Sequence, residues 1–342
     1  MRHSLSSLSG LIAAAALEAA LLSAGCGRGG TCVSVEGDVW HTAYHVKYVG
    51  AESLRDSLAG VFEEVDAALS VFNAGSEISR VNRNDTSVRA GRMMREVFGD
   101  ALRVSGKSGG AFDPTVGPLV DLWGFGRRGT ARALVSQSAV DSVLPAVGMR
   151  ECRIDREGRV IKKSLSTEFD FSAIAKGYAC DEAARMLERN GVTSYLIEIG
   201  GEIVGAGLNP EGRPWRVMVE NPLSPPDSVG ASGLGVVEVR DKALATSGRS
   251  RRQRKSDGRT LSHIINPLTG YPEVSSVLSA TVLAPRCMTA DAFATACMAM
   301  HPDSALAMLE REPEVEGLIV LADSTGFSLR VLTTSGFRLL AG

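Results

Sequence analysis

Val277-Leu278-Ser279-Ala280-Thr281-Val282-Leu283, helical spacing from Thr289 to Leu309, Gly317-Leu318-Ile319-Val320-Leu321 and Phe327 to Leu332 read in order as strand, helix, strand and strand. Strands that follow one another without a helix between them cannot all be joined by parallel crossovers. The stretch therefore predicts an α+β fold rather than a doubly wound sheet. The helix is expected to end or bend near His301-Pro302, because proline lacks the amide a continuing helix needs.

The same pattern extends upstream. Tyr44 to Val49 alternates as a strand, and Leu54, Leu58, Val61, Phe62, Val65 and Leu69 recur at helical spacing. Further helices are expected over Met93 to Val104 and Ile174 to Leu187, and strands over Ser194 to Ile199, Trp215 to Val219 and Leu234 to Val239. Asn221 to Ser232, rich in Pro, Ser and Gly, reads as a loop between strands of one domain.

At 342 residues and 44% hydrophobic side chains, the chain can bury a sizeable core. With 37 basic and 39 acidic residues the net charge is −2, so no global field draws it to nucleic acid. The dense basic run Arg249, Arg251, Arg252, Arg254 and Lys255 has no interleaved aromatics and reads as a solvated loop. Cys32, Cys152, Cys180, Cys287 and Cys297 show no C-x-x-C spacing, and so suggest neither a zinc site nor a dense disulfide framework.

Residues 1–25 have the layout of a secretion signal: Arg2, an apolar run from Leu11 to Leu17, and Leu21-Leu22-Ser23-Ala24-Gly25 leading into Cys26. Small residues before a cysteine predict lipoprotein processing, with Cys26 acylated and residues 26–38 as a tether to a domain over residues 39–342. Ordinary signal cleavage is the alternative. The run is far shorter than the ~20 apolar residues of a membrane span.

Five stretches carry more glycine and polar detail than a fold requires. The first contains Ser70-Val71-Phe72-Asn73 and then Ser76 to Asn82; Phe72 could stack on a flat ring or simply close a helix end. The second, Gly109-Gly110-Ala111-Phe112-Asp113-Pro114-Thr115-Val116-Gly117-Pro118-Leu119, would let a ligand approach the backbone, or is a proline-stiffened turn. In the third, Asp170-Phe171-Ser172-Ala173-Ile174-Ala175-Lys176-Gly177-Tyr178, a strand runs into a helix start, where Lys176 and free amides suit a phosphate. The other reading has Asp170 or Ser172 as a cap.

The fourth joins Ile199-Gly200-Gly201-Glu202 and Ala245-Thr246-Ser247-Gly248 to Ser262-His263-Ile264-Ile265-Asn266-Pro267-Leu268-Thr269-Gly270. His263 alone of five histidines lies in such a turn, as a general base or a hydrogen-bonded structural residue. The fifth, Cys287 to Thr295, places Asp291 and Thr295 one helical turn apart. Their oxygens suit Mg²⁺, or Asp291 merely complements its helix start. A relaxed P-loop match, Ala101 with Gly106-Lys107-Ser108, is excluded because a helix rather than a strand precedes it.

In series, G-x-F-D-P-T-V-G-P-L-V, D-F-S-A-I-A-K-G-Y, A-T-S-G, S-H-I-I-N-P-x-T-G and A-D-A-x-A-T resemble the FAD:protein FMN transferases, the ApbE family, from about Trp40 to Leu340. The resemblance implies one domain of mixed or antiparallel sheets with packed helices. It also implies transfer of FMN from FAD to a threonine of an acceptor flavoprotein, such as a membrane redox-pump subunit, with release of AMP. By resemblance Phe72, Ala111, Phe112, Asp113, Asp170, Lys176 and Ile265 would contact FAD. Ala173, through its carbonyl, would join Asp291 and Thr295 around Mg²⁺, and His263 would assist removal of the threonine proton.

Two positions depart from the family. Trp40-His41-Thr42 stands where Met-Gly-Thr is common, so the contact made there is expected to change. Ser250 replaces an aromatic after A-T-S-G, which alters the acceptor side. The sequence leaves open a Mg²⁺-dependent FAD pyrophosphatase and a non-enzymatic FAD-binding lipoprotein. The expected location is an exported protein, lipid-anchored through Cys26 on the periplasmic side of a bacterial membrane.

Overall fold

The computed structural model describes residues 31–127, 135–224, 233–249, 253–256, 259–273, 275–323 and 328–341. The signal-like segment, Cys26 and Ser250 lie outside the described residues. In chain order, a hairpin of β1 (Cys32–Val39) and β2 (Thr42–Val49) leads to helices α1 (Arg55–Leu69), α2 (Glu77–Asn82), α3 (Arg92–Lys107), α4 (Gly117–Leu122) and α5 (Gln137–Val143). A small hairpin of β3 (Arg153–Ile154) and β4 (Val160–Ile161) precedes α6 (Ala175–Arg189). Strands β5 (Tyr195–Ile199), β6 (Glu202–Ala206), β7 (Trp215–Val219), β8 (Gly235–Val239), β9 (Lys242–Gly248), β10 (Gln253–Ser256), β11 (Arg259–Ser262) and β12 (Val277–Ala284) follow. The chain then forms α7 (Cys287–Met298), α8 (Pro302–Arg311), β13 (Glu316–Ala322) and β14 (Leu329–Thr333).

Among the described residues the main sheet has eight strands in the order β1-β2-β5-β6-β9-β12-β13-β14. Every neighbouring pair in it is antiparallel. The fold is α+β, as the succession of strands requires. Both faces of the central strands are covered, which is why Val277 to Leu283 reads as a nearly unbroken apolar run. On one face Val46, Tyr48, Ile197, Ala245 and Val282 pack with α1, α3, α6 and α7; on the other Ile203, Leu244, Leu283 and Leu318 meet Val219, Val237 and Phe337.

Several expectations change at their edges. The segment expected as a tether contains β1 from Cys32, paired residue for residue with β2, so the sheet begins before residue 39. The helical pattern over Thr289 to Leu309 ends at His301-Pro302 as expected, and a second helix, α8, starts there. Pro302 at the first turn of α8 holds His301 extended at φ −62° and ψ 136°. The basic run expected as a loop continues into the β10–β11 hairpin. Gly106 and Lys107 lie inside α3, where no phosphate loop can form.

Two helices set the geometry of the centre. Eleven of the twelve residues of α7 are buried, and Thr295 is the exception. Its first amides, those of Cys287 and Met288, donate to the Asp181 carboxylate of α6 at 2.8 and 3.1 Å. In return Asp291 of α7 accepts the amide of Gly177, in the first turn of α6, at 3.2 Å. Each helix start, with orphan amides and positive dipole, is thus capped by an aspartate of the other helix. The approach is close enough to demand glycine: a Cβ on Gly177 would stand 2.5 Å from the Cys287 carbonyl oxygen and 2.7 Å from the Met288 Cα.

Burial pushes the Asp181 carboxyl up to about 6, with the Cys287 and Met288 amides, Arg286 and Arg185 pulling in the opposite direction. The folded state therefore keeps this proton to higher pH than an unfolded aspartate at 3.8. Its contribution to stability is full below about pH 4 and is lost as pH rises through about 6, a change of roughly 3 kcal/mol. In urea unfolding, the stability of the wild type minus that of Asp181→Asn should fall by that order across this window; a flat difference would contradict the assignment. Gly177→Ala should cost about 1–3 kcal/mol through overpacking of two backbones, measured by the same unfolding curves.

Candidate active site

The crossing of α6 and α7 gathers three of the five stretches. A continuous helix would offer the Gly177 amide to the Ala173 carbonyl four residues back, but here the amide reaches Asp291 Oδ2. Gly177 and Asp291 therefore meet at the turn that follows Ala173 in the chain. Asp291 is 3% exposed, and Thr295 follows it one turn along α7. The Thr295 hydroxyl lies 3.2 Å from that of Ser247 in the A-T-S-G strand β9, and Thr246 pairs with Thr281 of β12 at 2.9 Å. Beside them Lys176 forms an ion pair with Glu202, whose side chain is 3% exposed. Glu202 opens β6 directly after the Gly200-Gly201 turn. A Cβ on Gly200 would lie 2.7 Å from Thr42 Oγ1, so the β1–β2 turn reaches the same region.

The remaining stretches are fastened to this junction through the backbone. Asn82, at the end of α2, donates to the Phe169 carbonyl and accepts the Phe169 amide, both at 2.8 Å. Asp170 then gives its own amide to Pro114 O at 2.7 Å, while its Oδ1 accepts from the amide and hydroxyl of Ser172 at 2.9 and 2.5 Å. That is the capping role open to it from sequence, and it shapes the turn that carries Ala173. Gly110 approaches Leu268, where an added Cβ would sit 3.3 Å from Leu268 Cδ2. This joins the second stretch to the turn after His263.

Side-chain direction separates the predicted residues. Ala111, Phe112 and Asp113 are 6%, 2% and 8% exposed. The Asp113 carboxylate is committed to its own chain: Oδ1 accepts from the amide and hydroxyl of Thr115, and Oδ2 accepts the amide of Met149 at 2.8 Å. Burial raises its pKa, against those hydrogen bonds and the charge of Lys163. Ile265 is likewise buried, with Leu119 and Val147. These four side chains are therefore packed or hydrogen-bonded within the protein rather than exposed. His263 is half-buried directly after β11, on a turn stiffened by Asn266, whose Oδ1 accepts from Leu268 and Thr269. Phe72 stands apart at the exit of α1 and is 65% exposed.

Asp181, Gly177, Glu202 and Ser247 matter to this arrangement and were not singled out as site residues. The consecutive acids Asp181-Glu182 on an otherwise apolar helix face were the available signal, because acids are rarely buried there without partners. Glu182 takes such a partner in Arg92, at 2.9 and 2.7 Å, which ties α6 to α3. As donors for a cation, Ala173 O, Asp291 and the Thr295 and Ser247 hydroxyls are all oxygens. That chemistry fits a hard divalent ion such as Mg²⁺ and not a soft or imidazole-preferring one.

The ApbE family model matches residues 40–319. A Vibrio cholerae FAD:protein FMN transferase is 35% identical over 91% of this chain and 94% of its own, and a Haemophilus influenzae protein of the same name is 32% identical over 97% of each. Among solved structures, the Vibrio cholerae flavin transferase ApbE superposes with a TM-score of 0.80 at 33% identity, covering 90% of this chain and 98% of that one. The apo flavinyl transferase ApbE of Pseudomonas stutzeri gives 0.78 at 28% identity, covering 90% and 96%. Since the match runs from the turn after β1 into β13 and holds in sequence and in three dimensions, the chain belongs to the ApbE family.

Proposed function

We propose that the protein is an FAD:protein FMN transferase, moving the FMN half of FAD onto a threonine hydroxyl of an acceptor flavoprotein and releasing AMP. The observation that carries this is the α6–α7 crossing, where Asp291 accepts the Gly177 amide, Thr295 meets Ser247 and Lys176 pairs with Glu202 after the Gly200-Gly201 turn, in a chain of this family. Membrane redox-pump subunits are the proposed acceptor class. Arg2, the apolar run Leu11 to Leu17 and Cys26 support export and lipid anchoring on the periplasmic side of a bacterial membrane.

In the reaction the acceptor threonine oxygen bonds to the FMN-side phosphorus as the phosphoanhydride bond breaks, and AMP leaves with the bonding electron pair. A threonine hydroxyl is a weak nucleophile at neutral pH, and His263 is assigned to take its proton. Lys176, held by Glu202 at the start of α6, lends positive charge to the diphosphate. Phe72 supplies an exposed ring face for the flavin. Ala111, Phe112, Asp113, Ile265 and the Asp170 turn are assigned to the rest of the FAD path. Mg²⁺, which Ala173 O, Asp291 and Thr295 would hold, supplies charge neutralisation at the phosphate oxygens.

The direct test mixes the protein with FAD, Mg²⁺ and candidate acceptor flavoproteins and follows AMP and acceptor mass together. Acceptor gaining the mass of FMN on threonine, matched by AMP, is the expected result; AMP without that gain would mean hydrolysis instead. Asp291→Asn keeps an acceptor for the Gly177 amide but removes the charge. It should lose at least ~100-fold in turnover and the thermal stabilisation by Mg²⁺ expected of the wild type. Retention of both would remove the metal assignment. His263→Ala should bind FAD normally and transfer FMN ~10²–10⁴-fold more slowly, measured at saturating FAD.

A further inference from the structure

Asp66 breaks a local rule. It sits in the last turn of α1, where the helix dipole disfavours an anion and no basic residue compensates. Its carboxylate spans two separate segments instead: Oδ1 accepts the Trp40 indole N–H at 3.2 Å and Oδ2 accepts the Asn73 amide at 2.7 Å. The Asp66 carbonyl meanwhile accepts the Ser70 amide that closes the helix. One residue therefore ties the β1–β2 turn to the chain that presents Phe72.

Both joined segments need holding. Trp40 and His41 form the two-residue turn with φ of 49° and 61°, a left-handed conformation that side chains other than glycine adopt at a cost. Phe72 is exposed and directly precedes Asn73. Asn73 is itself folded into a tight turn, its side-chain oxygen accepting the Gly75 amide at 2.9 Å and its carbonyl the Ser76 amide at 3.1 Å. Trp40 packs edge-on against Phe62 at 5.8 Å. Between these groups lies a cleft of about 360 Å³, lined by Val39, Trp40, Phe62, Glu63, Asp66 and Asn73.

We infer that Asp66 is a positioning residue for flavin binding, its bridge between Trp40 and Asn73 setting the Phe72 ring against the isoalloxazine of FAD. The inference rests on the flavin-transfer reading. It explains why a tryptophan is accommodated in this turn: its indole N–H supplies the donor that completes the bridge, which a thioether side chain cannot do. Replacing Asp66 by Asn leaves one acceptor oxygen for two donors and turns an amide N–H₂ against one of them.

The test measures FAD affinity by equilibrium dialysis and the steady-state constants for FAD in Asp66→Asn, Trp40→Phe, Phe72→Ala and the double variant Trp40→Phe/Asp66→Asn. Loss of an aligned stacking contact should weaken FAD binding about 3- to 10-fold in Asp66→Asn, with KM rising and kcat changing less than about twofold. Because Trp40 acts through the same bridge, the double variant should bind FAD no more weakly than Asp66→Asn alone. Unchanged FAD affinity in Asp66→Asn, with or without a lower melting temperature, or strictly additive single effects, would overturn the proposal. Phe72→Ala separates the two readings. If it weakens FAD while Asp66→Asn does not, only the bridge fails; if it leaves FAD affinity unchanged, the flavin does not lie on Phe72 and the premise falls.

Discussion

The exchange of caps between α6 and α7 is the constraint on which the rest of the molecule depends. Asp181 closes the start of α7 and Asp291 the start of α6, so neither helix end is satisfied without the other. Gly177 lets the two backbones come within this reach, and the all-round burial of α7 fixes it between the sheet and α6. An ordinary helix pair packs through side-chain ridges; this one is also joined through its backbone termini. Two helix starts are thereby placed side by side in the interior, each with its positive end already answered by a carboxylate of the other helix.

Around that junction the functional segments are held mostly by backbone hydrogen bonding rather than by side chains reaching a ligand. Asn82 grips both polar groups of Phe169, Asp113 ties its own turn to Met149, and Asn266 shapes the turn that follows His263. Polar residues in these motifs therefore divide by what they join: Asp113 ties loop to loop, whereas Thr295 meets Ser247 between α7 and β9, although in sequence both stand among glycines and small residues.

Much of the fold was legible because its periods are plain. The apolar positions of α1 from Leu58 to Leu69 and the run Val277 to Leu283 declare a helix and a doubly covered strand. Strands β6 and β9 were not declared: Glu202 to Ala206 and Lys242 to Gly248 are short and rich in Ala, Gly, Ser and Thr, and they are strands because their neighbours pair with them on both sides. The site was legible as a set of motifs in series. Which residues touch was not, since Asp181 and Cys287 are 106 positions apart and nothing in local spacing says that an aspartate on one helix caps another. The same holds for Asp66, whose two partners lie on opposite sides of it in the chain.

The lone opening in α7 has a bearing on how the molecule comes apart. Thr295 is the single residue of that helix that is not buried, and its hydroxyl meets Ser247 of β9. Any fluctuation that frees Asp291 from Gly177, by contrast, uncaps α6 and disturbs the central layer on which both helices rest. The Gly177 amide, buried behind Asp291, is thus tied to the packing of two core helices rather than to a surface loop.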